Sequence, residues 1–326
     1  MGIPSISVVV RCFNEEQHIG RLLTGLTRQS RRPDQIVIVD SGSTDATLAI
    51  ASRFSVDIHS IDPQAFSFGR SLNIGCAAAT GDLVAIVSAH VYPLYDTWLH
   101  ELTAPFFDPS VALTYGRQEG DERTKYSERQ IMARWFPSVS EPRQDHPFCN
   151  NANAAIRRSI WEMQPYDEEL TGLEDMDWAK RALAAGHAVS YVAAAPVVHA
   201  HEETWGQRVN RYRREAIAHR RIYREQRMGA LEAVRLAIVN VASDYYHAAR
   251  DGMLAANLGS IPAFRIAQFW GTYQGFRQEG ATPAALRKRF YYPHGLRKVA
   301  GERPSGARRI DYDEPSPREA DDVAAH

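Results

Sequence analysis

The stretch Gln35–Thr47, QIVIVDSGSTDAT, joins a strand to a helix through a short polar turn. Four β-branched residues in succession indicate a strand buried on both faces. The Gly, Ser and Thr that follow Asp40 indicate a turn and a helix N-terminus. The same alternation predicts strands over 6–13, 56–61 and 83–89 and helices over 17–29, 46–54 and 69–79. Helices between such strands predict right-handed crossovers and an α/β fold of the doubly wound type.

Composition limits the classes of protein that the chain can represent. Its 326 residues are 44% hydrophobic and 24% charged, with a formal net charge of −1. Such a chain can bury a sizeable core, and its charge gives no argument for nucleic acid as a partner. Three cysteines without C-x-x-C spacing predict a reducing, cytoplasmic location. Neither a signal peptide nor a run of about 18 apolar residues is visible, so we expect no export and no membrane span.

The pattern divides the chain into three regions. We predict an α/β domain over 1–204, with halves of about 1–90 and 91–204. Residues 205–300 are predicted to be helical, mainly over 205–258 and 261–278. The tail 301–326 is rich in Pro, Asp and Arg and is predicted to be disordered.

Three strand ends carry the polar residues that a ligand would need, because parallel sheets bind ligands beyond the carboxyl ends of their strands. They are Arg11 to Glu15, Asp40 to Asp45, and Ser88 to His90. The turn after the first strand lacks G-x-G-x-x-G, which argues against a dinucleotide-binding dehydrogenase. Asp40 has two open interpretations, a contact to a base or ribose and a capped turn.

Several motifs in order resemble those of family 2 glycosyltransferases of the GT-A fold. They are SVVVRCFNEEQHIGRLL (7–23), QIVIVDSGSTDAT (35–47), FGRSLNIGCAAATGDLVAIVSAH (68–90), NNANAAIRRSIWE (150–162), LEDMDWAKRALAAG (173–186) and VVHAH (197–201). The resemblance covers about residues 5–205. It implies a mixed, mostly parallel sheet flanked by helices, with a helical C-terminal extension. It also implies transfer of a sugar from a nucleotide-diphosphate donor to a hydroxyl acceptor, with inversion at the anomeric carbon.

The resemblance assigns the first half of the domain to the donor. Asp40 matches the carboxylate that contacts the nucleotide base, and Arg70 and Asn73 match positions near the nucleotide and its diphosphate. Arg11, Glu15 and Ser88 complete the predicted donor site.

The metal-binding motif of the family departs from its usual form here. Where related enzymes carry Asp-x-Asp, this chain reads Ser88-Ala89-His90, so His90 takes the place of the metal-binding carboxylate. His199 follows a later strand, where related enzymes often carry a histidine close to the diphosphate. We therefore expect a divalent metal held by His90 and His199, Mn²⁺ rather than the oxygen-preferring Mg²⁺. A direct hydrogen bond from His90 to phosphate and a packing role both remain open.

The acidic motif implies a general base. In the family the aspartate of the Glu-Asp pair takes the acceptor proton, which maps to Asp175, with Glu174 beside it. Asp177 is expected to point away, since neighbours on one helix face lie three or four residues apart. A helix start decorated with acids is the alternative. On the acceptor side we predict Asn153 and Trp178, although a large aromatic can equally belong to the core.

Arginines at helical spacing open the C-terminal region. Arg208, Arg211 and Arg214 are expected to share one helix face, and Arg220, Arg224 and Arg227 another. A basic helix over 205–235 permits peripheral contact with an anionic membrane at the inner face of the plasma membrane, which suits an acceptor carried on a lipid. A solvated face, a diphosphate contact and a homodimer interface are equally compatible.

Two functions remain to be separated. The first is an inverting glycosyltransferase that makes a polysaccharide, glycolipid or other glycoconjugate. The second is a catalytically inactive sugar-nucleotide-binding protein, suggested by the missing Asp-x-Asp. The intact Glu174-Asp175 pair argues against the second.

Overall fold

A computed structural model describes residues 3–199, 203–277 and 304–313. Strands and helices alternate through the first half of the chain, as the sequence predicted. The elements are β1 (Ile6–Cys12), α1 (Ile19–Thr27), β2 (Gln35–Asp40), α2 (Thr47–Ala51), β3 (Asp57–Ser60), α3 (Phe68–Ala78) and β4 (Leu83–Ser88).

The second half of the α/β region is less regular. Its elements are β5 (Val91–Pro93), α4 (Trp98–Thr103), β6 (Val111–Glu119), α5 (Tyr126–Trp135), β7 (Asn153–Arg157), α6 (Arg158–Met163), α7 (Glu174–Ala184) and β8 (Ala188–His199). Four helices follow, namely α8 (Trp205–Ile222), α9 (Ala230–Arg250), α10 (Leu254–Asn257) and α11 (Ser260–Phe276).

The strands form one mixed sheet in the order β3-β2-β1-β4-β7-β6-β8-β5. The pairs β1/β2, β1/β4, β2/β3 and β6/β8 are parallel, whereas β7 runs antiparallel to β4 and β6, and β5 antiparallel to β8. Because β7 is antiparallel to both of its neighbours, β4 and β6 run in the same direction, and the carboxyl ends of β1, β2, β4, β6 and β8 all lie at one edge of the sheet. We call this the ligand edge, and it carries the candidate site.

Successive side chains of a strand point to opposite faces of the sheet. Both faces are apolar here, and helices cover both of them. Val8 and Val10 pack with Leu22 of α1 and Leu99 of α4 on one face. Val9 packs with Leu72 of α3 and Trp178 of α7 on the other. The continuous Val/Ile runs of the sequence are thus buried on both faces of the sheet, as predicted for central parallel strands.

The C-terminal helices form a bundle in which α8 and α11 lie close together. A methyl group on Gly271 would lie 2.3 Å from the carbonyl oxygen of Val209, so only a glycine permits this approach. The predicted helical stretch 205–258 is interrupted twice, at 223–229 and at 251–253. The chain leaves the helical conformation after Ile222 and resumes it at Ala230, so Arg224 and Arg227 do not share a helix face with Arg220.

Part of the predicted disordered tail is folded onto the sheet. Residues 304–313, which we call the C-terminal strap, lie against β5, and Tyr312 packs edge-on against Tyr92. The amide of Ile310 donates to the carbonyl of Leu94, and that of Arg308 to the carboxylate of Asp96. Composition predicted disorder because this segment has few apolar residues. The prediction failed because two of those residues, Ala307 and Ile310, are buried. Residues 301–303 and 314–326 lie outside the described residues.

Within the ranges that the structure covers, none of the helices combines the length and hydropathy needed to cross a bilayer.

Candidate active site

Two histidines meet at the ligand edge, as the sequence predicted. Val91 pairs with His199 in the β5/β8 ladder, which brings the preceding His90 beside His199. Their Nε2 atoms are 3.1 Å apart, and the rings stack with centroids 5.0 Å apart. The Nδ1 of His90 lies 2.7 Å from Oε1 of Glu15, and the Nδ1 of His199 lies 2.6 Å from Oε1 of Gln118. An oxygen acceptor therefore orients each ring from behind.

This arrangement fits a bound cation. If each Nδ1–H donates to its oxygen partner, the two Nε2 lone pairs face each other, and they need a proton or a metal ion between them. Adjacent ligands about 2.1 Å from an octahedral ion lie roughly 3 Å apart, close to the Nε2 separation observed here. Oxygen partners behind metal-binding histidines are the usual outer support of such sites. His90 and His199 thus have the donor atoms and the spacing to hold one divalent metal.

The acidic pair lies at the N-terminus of α7. Glu174 and Asp175 are 5% and 7% exposed. The Oδ2 of Asp175 accepts from the backbone N–H of Asn151 at 3.0 Å, and its Oδ1 from that of Met176 at 2.7 Å. Burial, together with the charge of Glu174, raises the pKa of Asp175 to about 7. Each oxygen keeps a lone pair, so the side chain can accept a proton near neutral pH.

Glu174 connects the acidic pair to the end of β1. Its Oε1 lies 3.4 Å from Nη1 of Arg11. The guanidinium of Arg11 lies over the ring of Phe68 at 5.3 Å, and that of Arg214 lies over the same ring at 4.5 Å. Phe68 therefore sits between two cations and connects β1, α3 and the C-terminal helices beside the acidic pair.

The residue before the acidic pair has a strained backbone. Leu173 has φ 56° and ψ 26°, the left-handed conformation that non-glycine residues seldom adopt. Its side chain packs against both the sheet core and α8. The strain is held by this packing, as is common beside functional sites, and it starts α7 abruptly at Glu174.

The donor-side predictions have mixed outcomes. Asp40 is buried, and it accepts from the backbone N–H groups of Gly42 and Ser43 at 3.0 Å, as a turn-capping residue would. Ser88 ends β4 beside Arg11 of β1, and Arg70 is exposed on α3. The base contact of Asp40, the contact of Arg70 near the nucleotide and diphosphate, and the place of Ser88 in the donor site stay predictions.

Asn73 is not placed for the donor. Its Oδ1 accepts from Nε1 of Trp161 at 3.0 Å and from the amide of Tyr166 at 2.9 Å. Its Nδ2 donates to the carbonyl of Tyr166 and to Glu168. The side chain fastens α3 to the segment before α7, and these bonds use its hydrogen-bonding capacity.

Both acceptor-side predictions were wrong, because both side chains are completely buried. Asn153 accepts from Nε1 of Trp98 and donates to the carbonyls of Arg117 and Ala195. Trp178 is 0% exposed, and its Nε1 donates to the carbonyl of Gln164. Neither can touch a saccharide without rearrangement of the core. Asp177 behaves as expected, since it points away from Asp175 and binds Arg181 at 2.9 Å.

In the first arginine group, Arg208 is buried and Arg214 is exposed. Arg208 lies over Phe264 at 4.7 Å, and Arg211 binds Glu128 and Glu203, each at 2.9 Å. Arg214 stacks on Phe68. Arg208 and Arg211 are thus bound within the protein, and the membrane contact predicted for 205–235 stays a prediction.

Sequence reasoning missed Gln118, Asn151 and Phe68. Gln118 lies in the stretch 115–148, which shows no readable motif, and only the β6/β8 pairing brings it to His199. Asn151 acts through its backbone amide, which no side-chain pattern reveals. Phe68 opens the motif FGRSLNIG, so its position beside Arg70 was the one available signal.

One further group among the described residues has metal-binding side chains close together. Ligand atoms of Glu141, Asp145 and His146 lie within 4.8 Å of one another. They come from the loop between α5 and β7, and Asp145 is exposed. This group by itself assigns no site.

Known proteins to which this chain is similar include glycosyltransferases. Residues 7–163 match the family described as glycosyl transferase family 2. It is 29% identical over 230 residues to the O-antigen chain rhamnosyltransferase WbaN of Salmonella anatum, covering 64% of this chain and 70% of that protein. It is 24% identical over 203 residues to the glycosyltransferase AglE of Haloferax volcanii, covering 58% and 64%.

Solved structures share the fold. The mannosyltransferase PcManGT from Pyrobaculum calidifontis, in complex with GDP-Man and Mn²⁺, aligns with a TM-score of 0.56 at 18% identity, covering 89% of this chain and 88% of that one. S. aureus TarS 1–349, in complex with UDP-GlcNAc, aligns with a TM-score of 0.52 at 15% identity, covering 94% and 99%. The expected GT-A fold, with its mixed and mostly parallel sheet, is confirmed.

Proposed function

We propose that this protein transfers a sugar, with inversion, from a nucleotide-diphosphate donor to a hydroxyl of a saccharide or other glycoconjugate acceptor. Two relatives named as O-antigen chain rhamnosyltransferases support a role in polysaccharide assembly. The fold neighbours carry GDP-Man and UDP-GlcNAc, which supports a nucleotide-sugar donor.

The surroundings of Asp175 carry the proposal. Inverting transfer needs one base that removes the acceptor proton while the acceptor oxygen attacks the anomeric carbon, and the nucleoside diphosphate leaves from the opposite face. Asp175 has an oxygen lone pair available, two backbone amides that hold the carboxylate in place, and a pKa of about 7. With this pKa, about half of the carboxyl group is ionised at neutral pH, and the ionised form accepts a proton readily. An inactive binding protein would have no need for this arrangement.

Glu174 and Arg11 act as positioning residues in this scheme. Glu174 raises the pKa of Asp175 through its negative charge, and Arg11 opposes that effect. The pair therefore tunes the base without contacting the sugar. Phe68 and Arg214 keep Arg11 at the end of β1.

His90 and His199 would hold the divalent metal, with Glu15 and Gln118 fixing their orientation. A bound divalent ion would offset the negative charge of the donor diphosphate. The nitrogen donors favour Mn²⁺ over Mg²⁺. Arg70, Asp40 and Ser88 would contact the nucleotide part of the donor from the neighbouring strand ends.

The location of the enzyme in the cell depends on what carries its acceptor. We propose a cytoplasmic enzyme, in peripheral contact with the membrane or paired through its C-terminal helices. On α9 the side chains of Leu231, Val234 and Ile238 are 88%, 58% and 63% exposed. These residues recur at helical spacing and form an apolar stripe of the kind that associates with other surfaces.

The decisive experiment has two parts. Thermal shift with uridine, guanosine and thymidine diphosphates, with and without Mn²⁺, identifies the nucleotide. The matching nucleotide sugars are then assayed for release of nucleoside diphosphate, and the anomeric configuration of the product is read by NMR. Release of nucleotide with an inverted product supports the proposal. Binding without any hydrolysis or transfer would leave only the inactive sugar-nucleotide-binding protein.

A further inference from the structure

A polar cavity lies between the segment that precedes α7 on one side and α8 with the chain that follows it on the other. It has a volume of about 510 Å³, within the usual range for small-ligand sites. Four arginines and one glutamate line it, with Leu170, Thr171, Ile217 and Ala218 between them. We call it the arginine cleft and define it by Arg220, Arg221, Arg224 and Arg227.

The charges in the arginine cleft favour an anion with several oxygens. Its carboxylate, Glu169, is paired with Arg221. Arg224 is exposed, and the buried Nε of Arg220 has no hydrogen-bond partner among the described residues. Guanidinium groups bind phosphate oxygens in pairs and at short distance.

The arginine cleft is separate from the predicted donor site. None of its lining residues belongs to β1, β2 or β4, or to the His90–His199 pair. It is nevertheless close to Asp175 along the chain. Thr171 lines the cleft. Its Cα can lie at most about 14 Å from the Cα of Asp175, because the two residues are four positions apart in the chain. The hydroxyl of Thr171 donates to the carbonyl of Arg214, which fixes this wall to α8.

We propose that the arginine cleft binds phosphate groups of the acceptor substrate and so directs the acceptor hydroxyl toward Asp175. The inference rests on the proposed function, since it names the class of acceptor as phosphate-bearing. The same chemistry is offered by a soluble sugar phosphate and by a saccharide linked through phosphate to a lipid.

Binding of inorganic pyrophosphate to the full chain tests the site without catalysis. Titration calorimetry in buffer with EDTA compares the wild type with the double variant Arg224→Gln/Arg227→Gln. Loss of two charge-assisted contacts should weaken binding about tenfold or more. Arg224→Lys/Arg227→Lys keeps both charges and should recover part of the affinity. Arg32→Gln/Arg53→Gln removes the same charge from exposed positions elsewhere and should bind as the wild type does.

Two results would overturn the arginine cleft as a phosphate site. One is equal pyrophosphate affinity in the wild type and the cleft variant, or an equal loss in the Arg32/Arg53 control. The other is loss of pyrophosphate binding in His90→Ala, which would place the anion at the histidine pair. Because calorimetry needs no donor, failure of the proposed glycosyl transfer would leave this test intact.

Vesicle sedimentation separates the two sources of phosphate. Vesicles of phosphatidylcholine, with and without phosphatidylglycerol, are mixed with the wild type and the cleft variant. Binding that needs phosphatidylglycerol and is lost in the variant supports a phosphate carried on a lipid. Absence of vesicle binding, with pyrophosphate binding retained, supports a soluble phosphorylated acceptor.

Discussion

Asp175 and Asp177 lie two residues apart at the start of α7, yet their surroundings differ. Asp177 is paired with Arg181 at 2.9 Å, and its side chain is 20% exposed. Asp175 is buried beside Glu174, and its contacts are backbone amides. The helix start thus offers one carboxylate that stabilises the helix and one that is suited to take up a proton.

Replacement of Asp175 tests the base directly. Asp175→Asn keeps the size of the side chain but cannot accept the acceptor proton, so transfer should fall by roughly 10²-fold or more while nucleotide binding is retained. Asp177→Asn is the matched control, and its rate should stay near that of the wild type. Initial rates and nucleotide affinity, measured on both variants, decide the matter. Near-normal transfer by Asp175→Asn would exclude the base role.

The pH dependence of transfer should follow the same carboxylate. Burial and the neighbouring Glu174 raise the pKa of Asp175 to about 7, opposed by Arg11 and by the two amides. Because the ionised form is the base, kcat/KM should rise as pH rises through about 7 and level off above it. The profile of Glu174→Gln should move to lower pH, since one cause of the raised pKa is then removed. A profile that is flat from about pH 5 to 8, the range in which this carboxylate should titrate, would contradict this assignment.

The histidine pair predicts dependence on a divalent metal. Excess EDTA should abolish transfer and remove the stabilisation by nucleoside diphosphate in a thermal shift assay, and Mn²⁺ should restore both. His90→Ala should lose the Mn²⁺-dependent part of that stabilisation. His59→Ala, a change on β3 away from the pair, serves as the control. Full activity in EDTA would instead support a direct hydrogen bond from His90 to phosphate.

At the scale of elements, one buried ion pair holds the C-terminal bundle together. Arg265 of α11 binds Asp244 of α9 through two contacts of 2.7 and 2.9 Å, and both side chains are buried. The hydroxyl of Ser127 on α5 donates to the same carboxylate at 2.6 Å. Three helices therefore meet at one charged group.

Removal of that charge should be costly. Asp244→Asn leaves the guanidinium of Arg265 buried without its ion partner, and we expect a loss of about 3 kcal/mol or more in the free energy of unfolding. Glu162→Gln removes the acid of an exposed pair with Arg158 on α6 and should cost about 0.5 kcal/mol or less. Urea unfolding of both variants measures the difference. Equal losses would mean that the buried pair does not hold the bundle.

Elements that repeat one local pattern could be predicted, and elements that depend on distant partners could not. The Val/Ile runs of β1, β2 and β4 and the polar turn after Asp40 carry their structure in local periodicity. The roles of Asn73 and Asn153 depended on Trp161 and Trp98, which lie far along the chain. Trp178 was placed near the acceptor by motif order alone, and helical periodicity does not tell a core tryptophan from an exposed one. The break after Ile222 lacks a proline or glycine until Gly229, so the sequence there still looked helical.

For the whole molecule, the C-terminal strap connects the end of the described chain to the outermost strand. Tyr312 donates to the carbonyl of Pro93, and Arg21 of α1 lies over its ring at 5.5 Å. Ile310 is buried beside β5. The strap therefore covers an edge strand of only three residues, which pairs on its other side with β8.

Removal of the strap should destabilise the domain more than removal of the residues after it. Truncation after residue 303 exposes the apolar surface that Ile310 covers and should cost about 2 kcal/mol or more. Truncation after residue 313 keeps the strap and should leave the melting temperature near that of the full chain. Thermal unfolding of the two truncated proteins tests this. Equal melting temperatures would show that the strap adds nothing to stability.

The strap also has a consequence for biosynthesis. β5 leaves the ribosome long before residues 304–313 are made, so a nascent chain carries an uncovered strand edge during most of its translation. Uncovered edges are templates for pairing with other chains. We therefore expect aggregation during expression to depend on how soon the strap arrives, and a strap peptide supplied in trans to raise the soluble yield of the protein truncated after residue 303.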